Sequence, residues 1–114
     1  MSRDDTALLD IMKAAQLATQ FVLGVDRTAF LEDPKTQSAV LHQLLLLGEA
    51  VKRLSEEFRA QHPAIPWRMI SGMRDKLIHE YHEVDLDEVW RTVTADVPQL
   101  ISTMQPFTPR EESQ

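Results

Sequence analysis

The sequence predicts an all-α fold, organised as an up-and-down four-helix bundle with one short extra helical turn. Only three glycines occur in 114 residues, and no segment alternates apolar and polar residues between turn signals as a strand would. Apolar residues recur instead every three or four positions, which is the spacing of one helix face. A chain of this length is expected to form one domain around a single modest core.

The first predicted helix covers roughly Asp4 to Leu23, and a short helical piece or turn follows between Asp26 and Asp33. Pro34 ends that piece and suits the first position of the next helix, because the missing N–H would be unpaired there anyway. The apolar stripe of the first helix consists of Leu8, Ile11, Met12, Ala15, Ala18 and Val22.

The second predicted helix is long and runs from Pro34 to about Gln61. Gly48 is expected to let another helix approach it closely. The run Leu44–Leu47 is broader than one narrow stripe needs, and either a wide core face or a dimer face would account for it. The stripe consists of Val40, Leu41, Leu44, Leu45, Gly48, Val51, Leu54 and Phe58.

The third predicted helix follows the breaker His62–Pro66 and ends at about His79 or Tyr81. Its apolar side chains are Trp67, Ile70, Met73, Leu77 and Ile78. Trp67 and Trp90 both lie on apolar stripes, so they are interpreted as core anchors and not as platforms for stacking a base.

The fourth predicted helix begins where Asp85 and Glu88 match a capping box. Pro98 should kink this helix or mark a restart just before it, because proline cannot donate a backbone hydrogen bond. The polar, proline-containing end is expected to be a flexible tail over residues 106–114, which leaves residues 1–105 as the helical domain. The apolar side of this helix consists of Leu86, Val89, Trp90, Val93, Val97, Leu100 and Ile101.

Composition excludes several kinds of chemistry. The chain has no cysteine, which excludes disulfides, thiolate catalysis and cysteine-bound zinc, and fits a cytoplasmic protein. The N-terminal residues are charged and do not resemble a secretion signal. The longest apolar run, Leu44–Leu47, is far too short to cross a bilayer, so no membrane association is expected.

Charge is unevenly distributed along the chain. The formal net charge of −6 argues against non-specific binding of nucleic acid by the whole surface. The segment from Lys52 to Ile78, however, contains six basic residues and three acids, whereas the segment from Glu80 to Asp96 contains six acids and one arginine. A local basic patch is therefore compatible with the sequence, and a general polyanion binder is not.

The segment Arg74–Tyr81 brings together an arginine, an imidazole and a phenol within eight residues. RNA carries its own nucleophile, the 2′-hydroxyl, so a guanidinium for the phosphate and an imidazole for proton transfer are sufficient to cut it without a metal. His79 is the candidate acid or base, and Arg74 the candidate that offsets charge on the phosphate oxygens. Asp75 is expected to orient the imidazole, and Tyr81 to hydrogen-bond the phosphate.

Helix geometry separates the two principal candidates. Arg74 and Tyr81 are seven residues apart and lie on nearly the same helix face, but Arg74 and His79 differ by about 140° at about 100° per residue. Either the helix unwinds near His79, or two copies of the motif meet across a two-fold axis and share one cleft. The second solution predicts a homodimer, with contacts around Arg74, Ile78 and Tyr81.

On pattern alone, a structural interpretation of the same residues is favoured, because an arginine and a histidine five residues apart occur in many helices by chance. His79 can simply cap a helix C-terminus, and Arg74 can pair with an acid of the Glu80–Asp96 segment. His79 and His82 are three residues apart, as metal ligands often are, but no third ligand is placed to complete a site. No metal or cofactor is therefore predicted, and His42 is interpreted as a solvated or core-edge residue.

Two segments carry a resemblance to a known family. Trp67–Trp90 resembles the signature of HepT-like proteins of the HEPN superfamily, and Leu47–Leu54 resembles the helix that precedes it in that family. The similarity extends from about Leu8 to Ile101. The family motif is an arginine, a polar residue, a few further residues, a histidine, any residue and a tyrosine, and its positions are filled here by Arg74, Asp75, His79 and Tyr81.

The resemblance implies an all-helical homodimer that acts as a metal-independent endoribonuclease, with arginine and histidine from both protomers at the interface. It implies a toxin whose antitoxin is a minimal, MntA-like nucleotidyltransferase, which uses ATP and magnesium to adenylylate Tyr81. This chain itself is expected to need no cofactor. Asp75 in place of the commoner asparagine and Glu80 in place of a frequent glycine add negative charge, which would weaken RNA binding.

Two further functions remain open. The bundle can instead be a non-catalytic substrate-binding or regulatory subunit of the nucleotidyltransferase, and the net charge of −6 fits a protein that never grips RNA. A nucleotide-binding module would use the same Arg74 and would show saturable affinity without turnover.

Overall fold

The computed structural model describes residues 1–79 and 83–110, with the side chains of all of these except residues 78 and 79. Every regular element in those ranges is helical, as predicted. The helices are α1 (Arg3–Phe21), α2 (Arg27–Leu31), α3 (Pro34–Lys52), α4 (Glu56–Gln61), α5 (Trp67–His79), α6 (Leu86–Arg91) and α7 (Val97–Met104). A π-helical turn (Thr92–Asp96) joins α6 to α7, and a 3₁₀ turn (Gln105–Phe107) follows α7.

The helix starts agree with their sequence signals. Ser2 and Asp5 form a capping box at the start of α1, and Asp85 caps α6 by accepting from the N–H groups of Asp87 and Glu88. Pro34 occupies the first turn of α3, as predicted, and is preceded by the capping carboxylate of Asp33.

The prediction of one helix from Pro34 to Gln61 is wrong, because the chain breaks between α3 and α4. Ser55 has extended backbone angles, and its hydroxyl caps α4 by accepting from the N–H of Phe58 at 3.0 Å. The carboxylate of Asp4 accepts from the backbone N–H and the hydroxyl of Ser55 at 2.8 and 2.7 Å. This contact from the start of α1 stabilises a break that periodicity alone does not reveal.

The disturbance expected at Pro98 takes the form of the π-helical turn before it. The N–H of Val97 donates to the carbonyl of Thr92, one residue wider than an α-helical bond. The hydroxyl of Thr94 donates to the carbonyl of Trp90 at 2.7 Å. The helical path therefore continues from α6 into α7 although proline supplies no N–H.

The core lies where α1 packs along α3, α3 along α5, and α7 against α1. Its largest fully buried side chains are Phe30, Leu8, Ile11, Leu44, Leu47, Met104, Val40, Val51 and Val93. Within the run Leu44–Leu47, three leucines face the core or its edge and Leu46 is 42% exposed. A wide core face thus accounts for most of this run.

Aromatic contacts fix the start of α5 and the end of the described chain. Trp67 is a core anchor, as predicted, since its ring is buried and its indole N–H donates to the carbonyls of Arg59 and His62 at 3.2 and 3.0 Å. Phe107 lies beyond the domain boundary expected at residue 105, and its ring stacks on His62 with centroids 4.2 Å apart. Within the described ranges, no helix combines the length and apolarity needed to cross a membrane.

Candidate active site

The close packing of α5 on α3 places Arg74. A Cβ atom built on Gly48 would lie 2.2 Å from the Cβ of Arg74 and 3.3 Å from its Cα. Only glycine permits this approach, because non-bonded carbon atoms pack at about 3.5–4.0 Å. The prediction that Gly48 allows a close helix approach is confirmed, and the residue that it accommodates is the candidate phosphate-binding arginine.

Two carboxylates hold the Arg74 guanidinium. One terminal nitrogen, NH1, donates to Oδ1 of Asp75 at 3.0 Å, and the other, NH2, donates to Oε1 of Glu49 at 3.0 Å. These hydrogen bonds, first that to Asp75 and then that to Glu49, raise the pKa of Arg74, so its charge is permanent. The Arg74 side chain is only 22% exposed, and its Nε atom is buried without a partner among the described residues.

Lys52 extends this arrangement. Its ammonium donates to the same Oδ1 atom of Asp75 that Arg74 contacts. The hydrogen bond from Lys52, followed by that from Arg74, lowers the pKa of Asp75, which keeps this carboxylate ionised. Glu49 and Lys52 of α3 and Arg74 and Asp75 of α5 therefore form one group, called here the ion-pair cluster, in which two positive and two negative charges cancel.

The ion-pair cluster changes the interpretation of the basic segment. The positive charges expected beside the motif are largely paired: Lys52 and Arg74 lie in the cluster, and Arg53 contacts Asp10 of α1 at 2.7 Å. Lys76 lies 3.9 Å from Glu88 of α6. Fewer free positive charges face an incoming phosphate than the sequence count of six basic residues implies.

The cluster can still bind an anion. A guanidinium has two hydrogens on each terminal nitrogen, and the described contacts use one on NH1 and one on NH2. One hydrogen on each terminal nitrogen of Arg74 therefore remains as a donor for the oxygen of an anion. Both flanking carboxylates are about half exposed, so the cluster lies at the surface where a strand of nucleic acid can reach it.

The structure describes only some of the other residues that the sequence predicts for the site. His79 ends α5, but its side chain lies outside the described residues, as do Glu80, Tyr81 and His82. Asp75 was expected to orient His79; its described partners are Lys52 and Arg74, and the contact with the imidazole stays a prediction.

The alternative in which Arg74 pairs with an acid after residue 80 is also not seen among the described contacts, where both partners lie on α3 and α5. His42 is exposed, as predicted. Trp90 is partly buried against Phe30, with ring centroids 5.2 Å apart, which fits its interpretation as a packing residue.

Sequence reasoning missed Glu49 and Lys52 as site residues. They are three residues apart on one helix, next to the glycine that admits Arg74, and such spacing puts both on the same side of α3. A lone glutamate adjoining a glycine in an apolar stripe was the available signal.

Two cavities adjoin helix α3. A space of about 470 Å³ lies between α5 and the α6–α7 segment, and most of its described lining is apolar, including Leu77, Val89 and Leu100. Arg74 does not line it. The other cavity, of about 660 Å³, lies between α1 and α3, and Glu49 and Lys52 of the ion-pair cluster are among the residues that line it.

Comparison with known proteins agrees with the resemblance carried by the motif. The family model of ribonuclease HepT-like proteins matches residues 11–107. The chain belongs to this family. It is 45% identical over 93 residues to a probable ribonuclease HepT of Thermococcus cleftensis, covering 82% of this chain and 84% of the relative.

Two further relatives have similar coverage. A putative RNase of Caldanaerobacter subterraneus subsp. tengcongensis is 36% identical, over 90% of this chain and 91% of the relative. A putative RNase of Methanocaldococcus jannaschii is 37% identical, over 86% of this chain and 81% of the relative. No solved structure matches the chain.

Proposed function

We propose that this protein is a metal-independent endoribonuclease that acts in the cytoplasm through Arg74 and His79. The observation that carries the proposal is the placement of Arg74: the motif arginine of a ribonuclease HepT-like chain is held by two carboxylates in a glycine-dependent helix contact. A side chain fixed in this way, with donors left over, suits the stabilisation of charge on a phosphate.

The proposed reaction is an internal displacement on RNA. The imidazole of His79 accepts the proton of the 2′-hydroxyl, and the 2′-oxygen attacks the adjacent phosphorus. The bond from phosphorus to the 5′-oxygen breaks, and an imidazolium returns a proton to that leaving oxygen. The products are a 2′,3′-cyclic phosphate and a free 5′-hydroxyl. Arg74 offsets the charge on the equatorial oxygens, with Asp75 and Tyr81 in support.

A homodimer is part of the proposal. The backbone of helix α5 runs without a break from Trp67 to His79, so the chain does not unwind before His79. On a continuous helix the two residues point about 140° apart. We therefore place Arg74 of one protomer with His79 of the partner subunit in one cleft, built by up-and-down four-helix bundles related by a two-fold axis.

The biological role proposed is that of a toxin. Its partner would be a minimal, MntA-like nucleotidyltransferase antitoxin that transfers AMP from ATP, with magnesium, to the Tyr81 hydroxyl, with loss of the hydroxyl proton and release of pyrophosphate. The transferred phosphate adds negative charge two residues after His79, where it would compete with RNA for Arg74. ATP and magnesium would be used by the partner only. We propose that this chain itself needs no cofactor.

The decisive test is cleavage of total tRNA by the purified protein alone. Cleavage should continue in EDTA and yield 2′,3′-cyclic phosphate ends, and Arg74→Ala or His79→Ala should abolish it. Arg68→Ala, which changes an exposed arginine on the same helix, is the matched control and should cut normally. Loss of cleavage in EDTA, restored by a divalent cation, would refute the proposed mechanism.

The second candidate, a non-catalytic regulatory subunit of the nucleotidyltransferase, is favoured by one observation. The ion-pair cluster has no net formal charge, so Arg74 is already neutralised before any ligand arrives. This candidate predicts that the purified protein leaves tRNA intact while it still binds the partner and accepts AMP at Tyr81.

A further inference from the structure

Glu49 stands out among the residues that contact Arg74 because it comes from a different helix. Asp75 is the chain neighbour of Arg74 and moves with it, whereas Glu49 lies 25 residues earlier, on α3. Among the described contacts, the hydrogen bond from Arg74 NH2 to Glu49 Oε1 joins the guanidinium directly to another helix. The adjacent Gly48 supports the aliphatic part of the same side chain.

We propose that Glu49 is a positioning residue, which together with Gly48 holds the Arg74 guanidinium in the orientation that the RNA phosphate requires. This inference rests on the proposed ribonuclease function and adds a residue that acts through Arg74. It does not make Glu49 an acid or a base in the reaction.

Three features of the contact support positioning. First, the two terminal nitrogens of Arg74 are bonded on opposite flanks, to Glu49 and to Asp75, so the planar group cannot rotate about its own axis without breaking a bond. Second, the Nε atom is buried, so the base of the guanidinium is enclosed by protein. Third, Lys52 holds Asp75 and thereby fixes the other flank.

An opposite role would be competition, in which Glu49 occupies donors that the phosphate needs. The contacts argue against it, because one hydrogen remains on each terminal nitrogen after both carboxylates have bound. Glu49 is also about half exposed, so a phosphate can approach beside it. The two roles predict changes of opposite sign when the carboxylate is removed.

The kinetic test compares Glu49→Ala with Glu49→Gln, using the full-length protein and a tRNA substrate. Positioning predicts that Glu49→Ala lowers kcat by about 100-fold, with KM changed much less, since a misplaced catalytic group costs this order of rate. Glu49→Gln should retain most of the activity, because its amide oxygen still accepts from Arg74. Glu57→Ala, an exposed glutamate on α4, is the control and should behave like the unaltered protein.

A second measurement does not depend on cleavage. In protein labelled with ¹⁵N-arginine, the Nε–H of Arg74 should give a signal that exchanges slowly with solvent, assigned by its loss in Arg74→Lys. Glu49→Ala should speed this exchange and Glu49→Gln should not, while thermal melting confirms that both variants are folded. Faster exchange in a protein that never cuts RNA would refute the proposed function and uphold the positioning of Arg74.

Two outcomes would overturn the inference itself. One is a Glu49→Ala protein with lower KM and undiminished kcat, which is the signature of competition. The other is unchanged exchange of the Arg74 Nε–H in Glu49→Ala, which would show that Glu49 does not hold the side chain.

Discussion

Gly48 and Arg74 approach so closely that any side chain at position 48 would collide with the arginine. A Cβ atom at this position would lie 2.2 Å from the Cβ of Arg74, which is close to the backbone and not at the flexible end of the side chain. Helix α5 therefore has to move if residue 48 gains a methyl group. This couples the spacing of α3 and α5 to the position of the candidate catalytic guanidinium.

Gly48→Ala should lower both stability and activity. Overpacking of this kind costs typically about 1–3 kcal/mol, partly offset by the better helix propensity of alanine. The free energy of unfolding is measured by urea titration. Cleavage of tRNA should fall by more than the smaller fraction of folded protein explains.

Gly72→Ala is the matched control on α5, where no atom lies within 4 Å of the added Cβ. It should stabilise the helix by about 0.5–1 kcal/mol. Equal effects of the two substitutions would contradict the coupling.

Arg74→Lys should abolish most cleavage although it keeps the positive charge. A lysine has no planar fork, so it cannot contact Glu49, Asp75 and a phosphate simultaneously with fixed geometry. Loss of a positioned donor to a transition-state oxyanion costs about 10²–10³ in kcat. Single-turnover cleavage of tRNA provides the measurement, with Arg68→Lys as the control. A variant that cuts within a few-fold of the normal rate would show that charge alone is sufficient.

The contact between Asp4 and Ser55 should make stability depend on pH in acid. Hydrogen bonds from the backbone and then the hydroxyl of Ser55 lower the pKa of Asp4 in the folded protein. Its contribution is complete above the unfolded pKa of about 3.9 and is lost as pH falls through the lower folded pKa. Asp4→Asn should be less stable than the unaltered protein at pH 7, and this difference should shrink as the pH falls below about 4. Urea titrations across that range measure whether the difference in the free energy of unfolding shrinks or grows as the pH falls, with Glu57→Gln as the control. A difference that grows towards acid would contradict it.

Mixing two inactive variants tests the proposed composite site. If Arg74 of one protomer acts with His79 of the partner subunit, a heterodimer of Arg74→Ala and His79→Ala contains one intact site. Random exchange of protomers then restores about a quarter of normal activity, because half of the dimers carry one of two sites. Light scattering at micromolar concentration should show a dimer in each case. Absence of any recovery after verified exchange would contradict a site divided in this way.

Co-expression with a minimal nucleotidyltransferase as the candidate antitoxin tests the proposed modification of Tyr81. Intact mass should increase by one or more AMP units, the modified peptide should contain Tyr81, and Tyr81→Phe should lose the increment. Cleavage by the modified protein should be suppressed, because the attached phosphate adds negative charge near Arg74. Neutralisation without any change in mass would instead indicate that the partner simply covers the active site.

Local sequence patterns determined the helical fold and the residues of the motif. Periodicity every three or four residues, Pro34 at a helix start and the cap at Asp85 are properties of short segments, so they were readable without a structure. Arg74, Asp75, His79 and Tyr81 were found for the same reason, since they lie within eight residues. The resemblance of the chain to HepT-like proteins followed from that local pattern, and its membership of this family is confirmed.

Contacts between distant segments decided the rest. The break at Ser55 depends on Asp4, 51 residues earlier, and the setting of Arg74 depends on Glu49, 25 residues earlier. No periodicity records which residue of one helix meets which residue of another, because that register is set by packing of the whole core. The sequence by itself therefore determined that an arginine and a histidine lie on one helix. Only the tertiary structure decided that two carboxylates and a lysine surround the arginine and cancel its charge.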